Sequence, residues 1–249
     1  MLAIIGGSGL AQLENLNITR RQVVRTPYGD PSGALSFGTL DGREVMFLAR
    51  HGYGHTIAPH EINYRANMWA LHDMGATRVV AVASVGGIAE SCVPGALVIP
   101  DQLIDYTHDR NSTYFEGVEA AVVHVDFTQP YCEALRQLLL RAASSADEAV
   151  TDTGVYAAVQ GPRLETKAEI NRLERDGATV VGMTGMPEAV LARELGLCYA
   201  SVAVVANYAA GRGSSANGVV LDEVAHTLGE AMRRVRRILE HLAHLPDEG

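Results

Sequence analysis

Two glycine-rich stretches carry residue types able to do chemistry. Arg50-His51-Gly52-Tyr53-Gly54-His55 sets a guanidinium beside imidazoles in a segment where backbone amides can approach a ligand. That combination suits a small oxyanion, because guanidinium offers forked charged donors and glycine removes the side chain that would hold an anion away. Gly6-Gly7-Ser8-Gly9 offers a second set of amides with one hydroxyl. Its spacing does not match the G-x-G-x-x-G dinucleotide fingerprint, and Leu10 to Thr19 makes a poor helix, so simple phosphate contact through the loop and Ser8 is expected. His51, His55 and His60 raise a metal reading, but the glycines keep His51 and His55 off one helix face, and no metal is expected.

These stretches need elements to position them. Leu2 to Ile5 reads as a short buried strand leading into the first glycine loop. Leu35 to Leu40 and Arg43 to Ala49 flank Asp41-Gly42, a hairpin signal, and the second of these strands delivers Arg50. Ile62 to Met74 reads as a helix stopped by Gly75, so the Arg50 segment is a strand-to-helix loop, the usual place for ligands in α/β sheets. Arg78 to Ser84 is an apolar strand followed by a glycine loop, Val85 to Ile88, and Ala96 to Pro100 is a further short strand. Tyr106 to Glu119 is polar and aperiodic, a long loop. A helix at Pro130 to Ala146 is followed by a strand at Val155 to Val159, a helix at Thr166 to Asp176 and a strand at Thr179 to Val181. A further helix opens at Pro187, with Glu188 at its positive end. Cys198 to Ala206 is the most apolar strand, and a loop from Arg212 to Gly218 leads to a long helix capped by Asp222. Alternation of strands and helices implies a parallel or mixed sheet covered on both faces, in a single domain over residues 1–249.

Bulk properties exclude several classes. With 29 acidic residues against 20 Lys and Arg, the net charge of −9 disfavours a nucleic-acid binder, so an anion must be held by a local constellation. The four arginines at 233, 234, 236 and 237 read as a solvated helix face. Cys92, Cys132 and Cys198 are odd in number and widely spaced, which fits reduced thiols in a cytoplasmic protein. No apolar run reaches membrane-spanning length, and the first ten residues do not read as a signal peptide.

Four motifs in order, Ile4-Ile5-Gly6-Gly7-Ser8-Gly9-Leu10, Arg50-His51-Gly52, Gln160-Gly161-Pro162-Arg163 and Met183-Thr184-Gly185-Met186-Pro187-Glu188, resemble the trimeric purine nucleoside phosphorylase family. The sequence is more similar to its methylthioadenosine phosphorylase branch, and within that to the bacterial S-methyl-5′-thioinosine phosphorylases, over about Leu2 to Leu242. The resemblance implies a three-layer α/β/α fold around a mixed, partly barrel-like sheet, assembled as a homotrimer or a dimer of trimers. It implies phosphorolysis of a nucleoside to free purine and ribose 1-phosphate, with inorganic phosphate as co-substrate and no cofactor. Ser8, Arg50, His51, Ser84, Val85 and Thr184 would then surround phosphate, and Met183 would lie under the ribose. His124 would be lent by a neighbouring subunit to the 5′ end of the sugar. Leu164 replaces the family's usual Phe beside the base, and the neighbouring Glu165 has no assigned role. Asn207-Tyr208-Ala209 stands where adenine-specific relatives carry Asp-Tyr-Asp.

These departures bear on substrate. Arg50, His51 and Asn207 are the expected catalytic groups, since cleavage puts negative charge on the departing base and needs a donor at N7. An Asn amide can donate to N7 and O6 but cannot deliver a proton, which favours a 6-oxopurine. Leu221 and Val224 match apolar positions of the methylthio pocket, which favours a thioether over a 5′-hydroxyl. The expected activity is therefore phosphorolysis of S-methyl-5′-thioinosine. The alternatives are a general 6-oxopurine nucleoside phosphorylase, a methylthioadenosine phosphorylase, a hydrolase of the same bond, and a non-catalytic nucleotide-binding module.

Overall fold

A computed structural model of the chain describes residues 1–10, 13–117 and 121–245. The elements are β1 (Leu2–Gly6), β2 (Leu16–Gln22), β3 (Leu35–Leu40), β4 (Arg43–Ala49), α1 (Tyr64–Asp73), β5 (Arg78–Gly87), β6 (Leu97–Val98), β7 (Gln102–Asp105), α2 (Glu133–Ser145), β8 (Val155–Ala158), α3 (Lys167–Arg175), β9 (Val180–Gly182), α4 (Gly185–Glu194), β10 (Cys198–Tyr208) and α5 (Leu221–His244). The strands form one mixed sheet in the order β2-β3-β4-β1-β5-β9-β8-β7, with β10 joining β5 and β6 off that path.

Strand β5 is the branch point. Its first half pairs in parallel with β1, its whole length pairs in parallel with β10, and Gly86 and Gly87 pair antiparallel with Val181 and Val180 of β9. The sheet thus forks at β5, and among the described residues no pairing closes it into a barrel. Because β1, β4, β5 and β10 run parallel, their carboxyl ends emerge together.

Side-chain alternation builds the layers. Ala3, Ile5, Met46, Leu48, Val79 and Ala81 pack with Tyr64, Met68 and Leu71 of α1 and with Ala189 and Leu191 of α4. Their neighbours Leu2, Ile4, Val45, Phe47, Val80 and Val82 pack with Leu135, Leu138 and Leu139 of α2 and with Val235, Ile238 and Leu239 of α5. Strands apolar on both faces need helices on both sides, hence the α/β/α layering. Each fully buried Leu, Ile or Val contributes roughly 1.5–3 kcal/mol of transfer free energy.

Most boundaries follow local chemistry. Asp41 (φ 48°) and Gly42 (φ 78°) make the tight turn between β3 and β4. Thr166 and Glu169 form a reciprocal capping box at α3. Other boundaries differ from expectation. The segment expected as a glycine loop after Ser84 continues as strand through Gly87, because β9 and β10 both pair with it. A Cβ at Gly87 would come within 1.9 Å of the Cys92 carbonyl oxygen, so glycine here serves close packing. Strands β2 and β7 were not expected, and α5 is capped at Val220, with Asp222 inside its first turn. Residues 106–117 have no helix or strand, as expected, while the end of that loop at Glu119 lies outside the described residues.

The cysteines require a correction. Cys132 and Cys198 form a disulfide, and only Cys92 is free and buried. Spacing along the chain conceals that the start of α2 docks on β10, where the Cys132 N–H donates to the Tyr199 carbonyl at 2.8 Å. The thiols therefore lend no support to a reducing compartment. No described helix is long and apolar enough to cross a membrane. On α5, Arg234 and Arg237 both pair with Glu148 and Arg236 pairs with Glu14, and Arg234 and Arg236 are half-buried, so this is an ion-paired face where a solvated one was expected.

Candidate active site

A cavity of about 470 Å³ opens where the carboxyl ends of β1, β4, β5 and β10 meet the start of α5. Its wall brings together residues far apart in sequence: Ser8 after β1, Arg50 and His51 after β4, Ser84 and Val85 on β5, Met183 and Thr184 after β9, and Asn207 on β10. Leu164 and Glu165 form one side, and Leu221 and Val224 of α5 another.

Arg50 is the largest fully buried side chain, 1% exposed. Its Nε and Nη2 donate to the two carboxylate oxygens of Glu188 at 2.6 and 2.8 Å, and Nη1 donates to the Val82 carbonyl at 3.0 Å. Tyr199 donates its hydroxyl to the same Glu188 carboxylate at 2.8 Å. Burial disfavours the guanidinium charge, but Glu188 outweighs it and holds the Arg50 pKa above its ordinary value. A guanidinium has five N–H donors, so three engaged contacts leave two for a ligand. A Cβ on Gly7 would sit 2.9 Å from Arg50 Nη1 and 2.7 Å from the Val82 carbonyl oxygen, so only glycine lets the first loop lie against the cation.

His51 is buried beside it, with Nδ1 2.8 Å from the Ile57 carbonyl oxygen. That partner accepts only, so Nδ1 carries the proton of the neutral ring and Nε2 keeps a lone pair. Burial first, and then the Arg50 charge, lower its pKa from 6.5 to about 4. His51 is therefore neutral at physiological pH. An expected result follows from the sign of the shift. The unfolded chain binds this proton near pH 6.5 and the folded chain only near 4, so His51's contribution to stability is complete above about 6.5 and is lost as pH falls towards 4. A proton NMR titration of the His51 ring should show a midpoint near 4, and a midpoint near 6.5 would contradict this environment.

His55 was weighed in sequence only as a metal ligand, yet it lines the cavity, its Nε2 lies 3.3 Å from Ser8 Oγ, and its ring centroid is 4.5 Å from that of His51. Its backbone is left-handed (φ 52°), a conformation that sequence pattern does not reveal. Glu188, read in sequence only as a helix-dipole residue, proves to be the partner of Arg50.

Asn207 donates Nδ2 to the Tyr208 carbonyl at 2.7 Å, leaving one amide N–H and Oδ1. Double donation to N7 and O6 would require this amide to leave Tyr208 or to share its free hydrogen. Glu165 lies in the wall between this cavity and a second of about 440 Å³. Burial raises the pKa of its carboxyl above the ordinary value, with Glu169 adding to the effect. Three residues singled out in sequence do not line the cavity. Tyr208 packs its ring against Gly213, and Ala209, just past the end of β10, is buried with Ile170, Leu173 and Val181, while Ala206, Asn207 and Ala210 line the cavity. His124 is exposed and absent from the wall in its own chain.

An anion-suited cleft on a forked mixed sheet defines a class, and comparison agrees with it: residues 1–244 match the family described as the phosphorylase superfamily, to which this chain belongs. It is 52% identical over 237 residues to a probable S-methyl-5′-thioinosine phosphorylase of Pseudomonas syringae pv. tomato, covering 95% of this chain and 96% of that one. It is 47% identical over 215 residues to the 6-oxopurine nucleoside phosphorylase of Pyrococcus furiosus, covering 84% and 80%. Methylthioadenosine phosphorylase from Schistosoma mansoni, solved with adenine, superposes with a TM-score of 0.93 at 34% identity, covering 97% of this chain and 90% of that one.

Proposed function

We propose that this chain catalyses phosphorolysis of S-methyl-5′-thioinosine to hypoxanthine and 5-methylthioribose 1-phosphate. The observation that carries the proposal is one cavity whose wall holds a fixed guanidinium with two free N–H donors, the Asn207 amide, the Glu165 carboxylate and the apolar side chains of Leu221 and Val224. Phosphate would rest on Arg50, Ser8, Ser84, Thr184 and backbone amides. Because Glu188 neutralises Arg50, the site presents donors to the dianion without a large uncompensated charge when empty.

The base edge of a 6-oxopurine presents O6 and N7 as acceptors and N1–H as a donor. The free Asn207 N–H, shared between them, would serve the first pair, and the Glu165 carboxylate would accept from the last. A 6-aminopurine reverses the pattern, so donor would face donor at position 6 and acceptor would face acceptor at position 1. Positive charge that builds on the sugar as the glycosidic bond breaks is stabilised by the phosphate held against it, and no covalent intermediate is needed. Leu221 and Val224 offer a thioether the contacts it accepts and offer a 5′-hydroxyl no partner. The phosphate requirement of base release tests this activity.

Residues 1–249 act in this proposal as one catalytic unit within a homotrimer or a dimer of trimers, with His124 reaching a neighbouring site. Leu221 at 68% and Leu164 at 43% exposure support it, since both line a mouth that a neighbour would cover. Sedimentation should give three, or a multiple of three, times the 26.6 kDa chain mass, and a fully active monomer would contradict the shared site.

A further inference from the structure

Arg110 sits in the middle of residues 106–117, a segment without helix or strand, and is half-buried. The segment is pinned to α4 by Glu194, whose carboxylate accepts from the Thr113 hydroxyl and the Tyr114 N–H, each at 2.7 Å. From that base the Arg110 guanidinium reaches two loops at once. Nη1 donates to the carbonyls of Met183 and Met186 at 2.8 and 2.7 Å. Nη2 donates to the Gln160 carbonyl at 2.8 Å and, more weakly, to that of Val159 at 3.4 Å, while Nε donates to the Gln160 side-chain oxygen at 3.1 Å.

All five donors therefore have acceptors. Arg50, with two N–H groups left, can bind a ligand; Arg110 cannot, and it does not line the cavity. Its effect must pass through what it holds. One loop continues to Leu164 and Glu165, and the other contains Met183 and Thr184. The two segments meet where the Val159 N–H donates to the Gly182 carbonyl at 2.8 Å, and beyond that bond the planar cation of Arg110 fixes their separation.

We propose that Arg110 is a positioning residue that holds the two nucleoside-facing loops in register, with Glu194 anchoring it. The proposal rests on the phosphorylase function given above. The loops it ties carry Leu164, Glu165 and Met183, assigned to base and sugar, and only one of the four phosphate side chains, Thr184. Ser8, Arg50 and His51 follow β1 and β4, which Arg110 does not touch. Losing the tie should thus weaken nucleoside binding more than phosphate binding, a split that general destabilisation would not produce.

The test is steady-state kinetics of Arg110→Ala and Glu194→Gln in both substrates, beside the wild type. Arg110→Ala should raise the nucleoside KM by roughly tenfold or more, with phosphate KM moving about threefold or less. Millimolar guanidinium should lower the nucleoside KM of Arg110→Ala again, whereas ammonium at equal ionic strength should not. Glu194→Gln, which leaves the guanidinium intact, should give the same split at smaller amplitude and carries the test if Arg110→Ala does not fold. Equal rises in both KM values, or wild-type values, would overturn the positioning role. Absence of phosphate-dependent turnover in the wild type would instead overturn the underlying function.

Discussion

Asn207→Asp is expected to turn the enzyme's preference from 6-oxopurine towards 6-aminopurine nucleosides. In the proposed pose the amide N–H of Asn207 left free by Tyr208 would face an acceptor on hypoxanthine, and with adenine it would face the amino group. Such a mismatch is worth roughly 1–3 kcal/mol when desolvated. S-methyl-5′-thioinosine should then exceed methylthioadenosine in kcat/KM by about ten- to a hundredfold. An Asp in that place accepts from a 6-amino group and, when protonated, donates at N7. The shift should be incomplete while Glu165 still offers N1 an acceptor, and adding Glu165→Gln should extend it, because an amide can donate to the bare N1 of adenine. The measurement is kcat/KM for both nucleosides in wild type, single and double variants. An unchanged ratio in Asn207→Asp would show that this residue does not read the purine.

Loss of Arg50 should have the second large effect, and the structure divides it into two parts. Removing the guanidinium would take its two free charged donors from the proposed phosphate site, which should raise phosphate KM by an amount on the order of 2–4 kcal/mol. It also strands the Glu188 carboxylate, which is 0% exposed. Breaking a buried pair in this way costs about 3–5 kcal/mol of stability. Arg50→Ala is therefore expected to melt well below wild type, and Arg50→Ala combined with Glu188→Ala should recover much of that loss without recovering phosphate affinity. Thermal unfolding and phosphate KM of the two variants separate the contributions. A double variant with wild-type phosphate KM would remove Arg50 from the anion site.

How much of this was legible in the sequence depends on whether the determining contact is local. The β3–β4 hairpin is legible because Asp41-Gly42 adopts left-handed backbone conformations that few other residue pairs accept. The start of α4 at Pro187 is legible for a similar reason: Met186 is extended and regular helix begins at the proline. Arg50 stands out because charge beside glycine is unusual after an apolar strand. Its partner is 138 residues away, so nothing local distinguishes Glu188 from an ordinary helix-dipole acid. The Cys132–Cys198 bond is hidden in the same way by a separation of 66 residues. Gly86 and Gly87 mislead because glycine signals turns locally, whereas here it admits two strands and the Cys92 carbonyl to one place. Strand β2 is exposed over most of its length and carries no apolar alternation to announce it. Ala209 was expected at the base because of its place in a motif, yet it lies just past β10, where its N–H donates to the Gly87 carbonyl at 2.8 Å and its side chain packs among Ile170, Leu173 and Val181 from elsewhere in the chain.

The central claim is that one cavity binds phosphate and a 5′-methylthio-6-oxopurine nucleoside and exchanges the base for phosphate. Product analysis of S-methyl-5′-thioinosine incubated with the enzyme, with and without inorganic phosphate, tests it most directly. The expected products are hypoxanthine and 5-methylthioribose 1-phosphate in equal amounts, formed only when phosphate is present. Base released at the same rate without phosphate, together with free methylthioribose, would contradict the account.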